Sequence, residues 1–310
     1  MRALVTGGAG FIGSHLVEAL LARGDEVVVL DDLSTGRLAN LPPASERLRI
    51  VVGSILDGPT VEQAVAGCEV VFHQAALPSV ARSLRDPAAT MRTNVEGTAV
   101  VLQAALRAGV RRAVLASSSS VYGDAPARVK DETLPLRPRS PYAASKAALE
   151  QLAHAYTEMG LPCVCLRYFN VFGPRQDPRS EYSAVIPRFT AALLASQPLT
   201  VYGDGHQTRD FCPVANVVAA NLRAAESPDA PGWAINVACG QAHSVLDLIE
   251  ALQDLLAPCP ASRIHRAARP GDVRDSLASL DRARMLLGYR PEVGFREGLR
   301  RAVAWYGEHR

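Results

Sequence analysis

Two groups of residues in this chain could together carry out redox chemistry on an alcohol. Tyr142 and Lys146 lie four positions apart, and a glycine-rich segment spans residues 7–13. On a helix, residues four apart share a face, so the lysine ammonium would lie beside the phenol. A free tyrosine has a pKa near 10, and a nearby positive charge favours the phenolate, which can accept a proton.

A run of serines occupies positions 117–120, before the tyrosine–lysine pair. The run follows an apolar segment, so its hydroxyls are expected at the end of a strand. Ser118 could hold the same substrate hydroxyl by a second hydrogen bond. A Tyr-x-x-x-Lys spacing alone is common on protein surfaces. With the serines and a cofactor loop in the same chain, we interpret it as a proton-transfer site.

The glycine segment has Gly7, Gly10 and Gly13 at intervals of three, between a predicted strand and a predicted helix. In such a turn one glycine permits the tight bend, another lets the backbone approach a pyrophosphate, and the last allows close helix–strand packing. The helix amino terminus offers free N–H groups to phosphates. A tight turn without a ligand could use the same glycines, but the strand–turn–helix context favours a dinucleotide site.

Two carboxylates, Asp31 and Asp32, end the second predicted strand. A carboxylate at this place accepts hydrogen bonds from the adenosine ribose hydroxyls and repels a 2′-phosphate, which favours NAD over NADP. The alternative role of these aspartates is to cap the start of a loop. Arg37 could hold a 2′-phosphate, but a solvated arginine is the simpler interpretation.

Strand-like and helix-like segments alternate through the first half of the chain. Strands are predicted at 2–5, 26–30, 48–52, 69–72, 113–116 and 162–167, and helices at 11–22, 60–66, 88–108 and 141–159. The strands are apolar almost without interruption, as in a parallel sheet covered on both faces. Repeated strand–helix–strand units predict an α/β fold with a doubly wound parallel sheet of the Rossmann type. Later helices are predicted at 184–195, 214–225, 245–256 and 295–306.

The pattern changes after Arg167, which predicts two domains. Residues 1–167, with a returning segment at about 204–237, are expected to form the NAD-binding Rossmann domain. Residues 168–203 and 238–310 are expected to form a smaller α/β domain for the substrate. A chain of 310 residues is long enough for both.

The composition is that of an ordinary soluble globular protein, with 48% hydrophobic and 21% charged residues. The formal net charge is +2, and no basic or acidic tract suggests binding to nucleic acid. The six cysteines match no zinc or redox spacing, and no apolar run reaches the length of a membrane span. We therefore expect a cytoplasmic protein without membrane association and without a metal site.

Together these motifs resemble the extended short-chain dehydrogenase/reductases, the NAD-dependent epimerase/dehydratase family. The similarity includes the glycine segment, the serine run, the tyrosine–lysine pair and further segments at 167–175, 202–205 and 269–272. Within that family the chain looks most like the UDP-glucose and UDP-N-acetylglucosamine 4-epimerases. The resemblance implies NAD as cofactor, a UDP-sugar as substrate and a homodimer formed through the helices around 88–108 and 141–159.

The resemblance also implies a reaction. Tyr142 would take the proton of the sugar 4-hydroxyl while hydride passes from C4 to NAD. Lys146 would tune the tyrosine and hold the nicotinamide ribose. The 4-keto sugar would then swing over and receive the hydride on its other face. Ser118 matches the catalytic serine or threonine of the family, with Ser117 and Ser119 as close alternatives.

The resemblance assigns further roles residue by residue. Besides the catalytic pair, the expected cofactor contacts are Gly7, Gly10, Phe11, Ile12, Gly13, Asp31, Asp32, Ser34, Thr35, Gly36, Ser54, Ile55, Gln74, Ala75, Ala76, Asn94, Tyr168 and Phe169. The expected substrate contacts are Ser79, Arg82, Ser119, Asn170, Val185, Tyr202, Arg209, Arg269, Asp272 and Ser276. Arg209 is expected at the diphosphate, since a guanidinium supplies several fixed donors, and Arg269 with Asp272 at the uridine end.

Departures from the family pattern narrow the reaction and the sugar. Dehydratases carry an acidic pair where this chain has Ser119 and Ser120, so dehydration is not expected. Ser276 stands where some members have a bulky tyrosine, and its small side chain leaves room for a 2-acetamido group. Arg82 could meet a uronate carboxylate, or it could lie on a solvated loop.

The expected function is a NAD-dependent UDP-hexose 4-epimerase that accepts a UDP-N-acetylhexosamine or its uronic acid. One alternative is a nucleotide-sugar oxidoreductase with net NAD(P)(H) turnover. A dehydratase and a non-catalytic NAD-binding regulator lie further from the pattern. Non-catalytic relatives should lose the catalytic groups, whereas Ser118, Tyr142 and Lys146 are all present.

Overall fold

The computed structural model describes residues 1–177, 184–256, 262–267 and 274–309. Its helices are α1 (Phe11–Ala22), α2 (Gly58–Val65), α3 (Val80–Arg85), α4 (Pro87–Met91), α5 (Gly97–Arg107), α6 (Pro141–Glu158), α7 (Val185–Leu194), α8 (Val214–Glu226), α9 (Val245–Leu255), α10 (Asp281–Leu287) and α11 (Phe295–Glu308). Its strands are β1 (Arg2–Thr6), β2 (Glu26–Asp31), β3 (Leu48–Val52), β4 (Val70–His73), β5 (Arg112–Ser118), β6 (Val129–Lys130), β7 (Cys163–Tyr168), β8 (Val171–Phe172), β9 (Leu199–Tyr202), β10 (Thr208–Asp210), β11 (Cys212–Pro213), β12 (Ala234–Val237), β13 (Ala242–Ser244), β14 (Arg263–Arg266) and β15 (Asp275–Ala278). None of the helices within these ranges is long and apolar enough to cross a membrane.

The centre of the fold is a seven-stranded parallel sheet with the strand order β12-β7-β5-β4-β1-β2-β3. Leu4 of β1 lies opposite Val28 of β2 on one side and opposite Val71 of β4 on the other. The order of the strands reverses at β1 and β4. The loops that follow these two strands therefore separate into a crevice at the carboxyl ends of the strands. The predicted Rossmann-type fold is confirmed.

Alternate residues of each strand face two separate apolar cores. Along β1, Val5 belongs to the core that α1 and α8 cover, and Leu4 to the core that α2, α5 and α6 cover. Both side chains are fully buried. The inner strands are mostly apolar because helices cover both faces of the sheet.

A third core lies beyond the main sheet and is rich in aromatic residues. Phe211 and Phe295 stack with ring centroids 5.5 Å apart, and Phe172 packs edge-on against both. Beside it, four short strands form a small sheet in the order β13-β10-β15-β6. Between β11 and β13 the chain returns to the main sheet, where β12 pairs with β7. The division into two domains and the homodimer stay predictions.

The helix predicted at 88–108 is not regular. The predicted helical segment is confirmed, but α4 and α5 are joined by a π-helical turn at Arg92–Glu96. The turn contains Asn94, whose side chain is hydrogen-bonded to the backbone of Leu77 and to Ser145. These partners lie on other elements, so the helical period of the sequence does not reveal them.

Candidate active site

A cleft of about 230 Å³ opens at the carboxyl ends of the strands, where the strand order reverses. The expected cofactor and catalytic residues that line it are Gly7, Gly10, Phe11, Ile12, Gly13, Asp31, Asp32, Ser34, Thr35, Ile55, Gln74, Ala75, Ala76, Tyr142, Lys146 and Tyr168. Its other lining residues are Leu30, Gly53, Leu77, Pro78, Thr93, Ala116 and Ser117. The fold thus brings the glycine turn and the tyrosine–lysine pair to one site.

The glycine turn has room for backbone only. Gly7 has a φ of +67°, and a Cβ there would lie 2.7 Å from the Ala75 backbone. A Cβ on Gly13 would overlap the Gly7 carbonyl oxygen and lie 2.8 Å from Gly8 Cα. Gly10 is the N-cap residue of α1, and no described side chain caps the first turn of this helix, so its N–H groups remain open to a ligand. This arrangement fits a dinucleotide pyrophosphate, which binds N–H donors at a helix amino terminus.

Asp31 links the glycine turn to the end of β2. Its Oδ2 accepts a hydrogen bond from Ala9 N at 2.9 Å, and its Oδ1 accepts one from Leu33 N at 2.8 Å. Burial raises the pKa of this carboxyl group, while the two backbone donors favour its charged form. Gly36 does not line the cleft but packs against this carboxylate, since a Cβ there would lie 2.8 Å from Asp31 Oδ1.

The charges near Asp32 also fit NAD. Ser34 donates to Asp32 Oδ1 through its backbone N at 2.9 Å and its Oγ at 2.6 Å. Arg37, the residue that could have held a 2′-phosphate, forms an ion pair with Asp177 at 2.8 Å. Carboxylates therefore line the ribose end of the cleft, and this arginine is engaged elsewhere.

Three other expected cofactor residues lie outside the lining of the cleft. Phe169 directly follows β7 and is fully buried in the apolar core, whereas Tyr168 also lines the cleft. Ser54 accepts a hydrogen bond from Leu56 N at 3.2 Å. Asn94 is buried behind the loop that contains Leu77.

The catalytic pair lies in the first turns of α6. Ser140 caps this helix by accepting from Ala143 N at 3.1 Å. Lys146 Nζ lies 6.0 Å from the centroid of the Tyr142 ring and donates to the Ala116 carbonyl oxygen at 2.7 Å. The cap and the anchored ammonium fix the lysine beside the phenol, as the four-residue spacing predicts.

The electrostatics of the pair are dominated by burial. Burial raises the pKa of Tyr142, while a hydrogen bond with Ser118 acts in the opposite direction. Burial lowers the pKa of Lys146 to about 8, and negative charge on Cys165 and Glu150 would raise it. Tyr142 therefore needs further positive charge beside it to act as a base at neutral pH.

The structure separates the three candidate serines by their partners. Ser117 Oγ donates to Glu150 Oε1 at 2.5 Å, so this hydroxyl is engaged below the cleft. Ser118 acts to lower the pKa of Tyr142, and its Oγ accepts from Ser120 N at 3.2 Å. Ser119 begins the 3₁₀ turn that follows β5. Ser118 is the serine placed to act with the tyrosine.

A buried ion pair supports the catalytic helix from below. Arg167 of β7 donates to Glu150 of α6 through Nε at 2.9 Å and Nη2 at 2.8 Å, and their side chains are 6% and 5% exposed. Arg167 Nη1 also donates to the Tyr122 hydroxyl at 2.9 Å. Sequence reasoning missed this pair. The available signal was an arginine inside an apolar strand, since buried charges are paired.

A second buried group fixes Tyr168 at the wall of the cleft. Asn221 of α8 donates through Nδ2 to the Tyr168 hydroxyl at 2.8 Å. Gln74 Nε2 donates to Asn221 Oδ1 at 3.1 Å. Asn221 was also missed, although a polar residue on the apolar face of α8 is a signal of a buried hydrogen bond.

The expected substrate residues that the structure describes lie outside the lining of the cleft. Ser79 has a φ of +96° and caps α3 by accepting from Arg82 N at 3.3 Å. Asn170 lies between β7 and β8 and donates to the Asp210 carbonyl oxygen at 3.2 Å. Val185 begins α7, and Tyr202 ends β9.

Arg209 and Ser276 are direct neighbours in the small sheet. They face each other in the register of β10 and β15. Arg209 Nη1 donates to the Thr208 carbonyl oxygen at 2.7 Å and to the Arg274 carbonyl oxygen at 3.2 Å. The other two expected uridine contacts, Arg269 and Asp272, lie outside the described residues.

The parallel sheet, the uncapped glycine turn and the Ser–Tyr–Lys group at the cleft define a dinucleotide-dependent enzyme of the short-chain dehydrogenase/reductase class. Residues 3–238 match the model of the NAD dependent epimerase/dehydratase family. The chain belongs to this family, as its motifs predicted.

Known proteins are similar to this chain over nearly its whole length. The UDP-glucose 4-epimerase of Mycolicibacterium smegmatis is 42% identical over 311 residues, which cover 99% of this chain and 98% of that protein. The UDP-N-acetylglucosamine 4-epimerase from Methanobrevibacter ruminantium, solved with UDP-N-acetylmuramic acid, has a TM-score of 0.95 and 38% identity, over 100% of this chain and 99% of that one. The UDP-glucose 4-epimerase of Thermus thermophilus, solved with NAD, has a TM-score of 0.90 and 39% identity, over 99% of both chains. NAD is confirmed as the cofactor.

Proposed function

We propose that this protein is a NAD-dependent UDP-sugar 4-epimerase. The observation that carries the proposal is the placement of Tyr142 and Lys146 in the lining of the cofactor cleft, with Lys146 anchored on the Ala116 carbonyl oxygen and Ser118 acting to lower the pKa of Tyr142. Such a group can take one proton from an alcohol and give it back. Dehydration needs an acidic pair as well, and Ser119 and Ser120 occupy those positions. The similarity to proteins named 4-epimerases supports the same reaction.

The side chains of the site divide the work as follows. Tyr142 takes the proton of the sugar 4-hydroxyl on its phenolic oxygen and returns it after the 4-keto sugar has turned. Ser118 holds the same hydroxyl by a second hydrogen bond. Lys146, with Nζ fixed on the Ala116 carbonyl oxygen, places positive charge where it favours the phenolate. NAD, when bound, supplies the acceptor and donor of the hydride.

We propose a UDP-N-acetylhexosamine or its uronic acid as the substrate. The support is the position of Ser276 directly beside Arg209, the candidate diphosphate ligand. Adjacent strands lie about 5 Å apart, so Ser276 borders whatever Arg209 binds. Its small side chain leaves space there for a 2-acetamido group. Arg82 on α3 is the candidate partner of a uronate carboxylate.

The first experiment tests the reaction. A panel of UDP-sugars is incubated with the protein, and inversion at C4 is followed by NMR. Tyr142→Phe should lower kcat by about 10²-fold or more, because it removes the general base. Tyr156→Phe, on the same helix, is the matched control and should keep the activity. A Tyr142→Phe variant within about tenfold of the parent would show that the base is wrongly assigned.

The amount of NAD that stays bound to the purified protein distinguishes an epimerase from an oxidoreductase. A 4-epimerase returns the hydride to its substrate, so dialysed protein should retain NAD and turn over without added cofactor. The bound NAD is measured by the absorbance of the dialysed protein and by the amount of NAD released into the supernatant when the protein is denatured. A requirement for stoichiometric added NAD(P)(H) would instead favour the oxidoreductase.

A second experiment tests the sugar pocket. Ser276→Tyr should suppress activity on UDP-N-acetylhexosamines far more than on UDP-galactose, because the larger ring fills the space for the acetamido group. Ser276→Ala is the size control and should keep both activities. Equal losses on both substrates in Ser276→Tyr would show that the size of residue 276 does not determine which sugar is accepted.

A further inference from the structure

A line of buried hydrogen bonds passes beneath the cofactor cleft through His73, at the end of β4. His73 Nδ1 lies 2.7 Å from Thr6 Oγ1, and its Nε2 lies 3.0 Å from Thr98 Oγ1. The three residues are at most 1% exposed. None of the roles assigned above involves this histidine.

The outer contacts fix the direction of each hydrogen bond in the line. Thr98 Oγ1 lies 2.6 Å from the Asn94 carbonyl oxygen, which cannot donate, so the Thr98 proton lies between them. Thr98 Oγ1 therefore accepts from His73 Nε2–H. A neutral imidazole protonated on Nε2 has an acceptor at Nδ1, so Thr6 donates to it. The Thr6 oxygen in turn accepts from Ala75 N–H at 3.3 Å.

One end of the line reaches the glycine turn. Thr6 directly precedes Gly7, and the Ala75 backbone packs so closely on Gly7 that a Cβ there would lie 2.7 Å away. Through its hydroxyl, Thr6 thus joins the loop after β1 to the loop after β4. These are the two loops that meet where the cleft is expected to hold the pyrophosphate.

The other end reaches the catalytic helix through Asn94. Its Oδ1 accepts from Leu77 N at 2.8 Å, and its Nδ2 donates to Ser145 Oγ at 3.0 Å. Ser145 Oγ donates in turn to the Tyr142 carbonyl oxygen at 2.8 Å. Movement of the π-helical turn would therefore move the backbone of the catalytic tyrosine.

The surroundings keep the imidazole neutral. Burial lowers the pKa of His73 to about 3, and the positive charge of Lys146 acts in the same direction. A neutral imidazole keeps one donor and one acceptor, whereas a protonated one has two donors and could not accept from Thr6. The line of hydrogen bonds is therefore stable in one arrangement over the neutral pH range.

We propose that His73 is a positioning residue with two separable arms. The Nδ1 arm acts through Thr6 and holds the glycine turn in the form that binds NAD. The Nε2 arm acts through Thr98 and Asn94 and holds Tyr142 where it transfers the proton. The second arm rests on the proposed 4-epimerase activity, whereas the first depends on NAD binding alone.

Isosteric substitutions test the two arms separately. Thr6→Val removes one hydroxyl and should weaken NAD binding by about tenfold, with kcat of the NAD-saturated enzyme nearly unchanged. Thr98→Val should lower kcat by about tenfold and move the acidic limb of the pH–rate profile, with NAD retained. Thr6→Ser and Thr98→Ser restore the hydroxyls and should restore each property. NAD affinity is measured by equilibrium dialysis and kcat by NMR.

The tautomer of His73 gives a readout that needs no catalysis. In ¹⁵N-histidine-labelled protein, the signal lost in His73→Gln should show the Nε2–H tautomer from about pH 8 down to about pH 5. The Nδ1–H tautomer, or protonation in this range, would overturn the arrangement. Equal losses of NAD affinity and kcat in both valine variants, or no loss in either, would overturn the separable arms. Absence of C4 inversion with every UDP-sugar would disprove the proposed function. The measurements of NAD affinity and of the His73 tautomer would still test the Nδ1 arm, because that arm depends on NAD binding alone.

Discussion

Among single residues, Ser118 acts on the pKa of one neighbour. Ser118 lowers the pKa of Tyr142 and so favours the phenolate, against the burial that raises this pKa. In Ser118→Ala we expect the pKa of Tyr142 to rise further, so the acidic limb of the pH–rate profile moves to higher pH. At neutral pH kcat should fall by about tenfold or more, because a hydrogen bond to a charged group contributes about 1.5–3 kcal/mol. The measurement is kcat against pH.

The neighbouring serines are matched controls for this prediction. Ser117 donates to Glu150, and Ser119 begins the following turn. Within the part of the chain that the structure describes, Ser118 is the side chain that lowers the pKa of Tyr142. An equal shift of the acidic limb in Ser117→Ala or Ser119→Ala would contradict the assignment.

At the scale of elements, α6 is tied to the sheet by a buried charge. Glu150 accepts from Arg167 of β7 and from Ser117 of β5. Glu150→Gln leaves the buried guanidinium without a counter-charge, so the free energy of unfolding should fall by about 3 kcal/mol. Urea denaturation of the variant and the parent measures this difference.

An exposed ion pair offers the control for that variant. Glu62 lies 3.2 Å from Arg107, and both side chains are more than half exposed. Glu62→Gln should change the free energy of unfolding far less, since exposed pairs are screened by solvent. A Glu150→Gln variant no less stable than Glu62→Gln would show that the buried pair is not what fixes the helix.

The elements of the main sheet could be predicted because their signals are local. Each strand is an apolar run, and α1 was predicted with its observed bounds. The short strands of the outer part could not be predicted. β8 and β11 have two residues each, too few to show a period, and Val171 pairs with Cys212 far along the chain. Such strands form only by pairing with distant segments, and the local sequence does not indicate which segments these are.

The residues of the candidate site fall into the same two groups: those that local sequence spacing predicts and those that depend on contacts between distant segments. The glycine turn and the tyrosine–lysine pair depend on spacing within one turn or one helix, so the sequence alone predicts them. His73 and Asn221 act through contacts between distant segments, and Asn221 reaches Gln74 across 147 positions. Their partners become evident only when the strand order and the packing of α8 are known.

At the scale of the whole molecule, two buried groups give folding opposite pH dependences. His73 has a pKa of about 3 against an ordinary 6.5, because burial and then Lys146 disfavour its charge. On acidification the unfolded chain takes up this proton first, so stability is lost between about pH 6.5 and about pH 3. Burial raises the pKa of Asp210 to about 6 from 3.8. Its contribution is complete below about pH 4 and is lost as the pH rises through about 6.

Asp210 links the loop after β12, a strand of the main sheet, to the small four-stranded sheet. Its protonation is therefore expected to affect the stability of the whole fold. The carboxylate accepts from Cys239 N and Gly240 N, both at 2.9 Å, in the loop after β12. It also accepts from Ala278 N of β15 at 3.3 Å. Strand β10, which contains Asp210, thereby connects the segment returning from the main sheet to the strand that contains Ser276.

The two groups predict changes of opposite sign between about pH 6 and about pH 4. His73→Gln removes a proton that the unfolded chain binds first, so the free energy of unfolding should fall less steeply on acidification than in the parent. Asp210→Asn removes a proton that the folded state binds first, so the fall should be steeper. Each change in slope is at most about 1.4 kcal/mol per pH unit. Urea unfolding at a series of pH values measures the slopes, and the double variant should return towards the parent. Curves that stay parallel to the parent would contradict the titration of both groups.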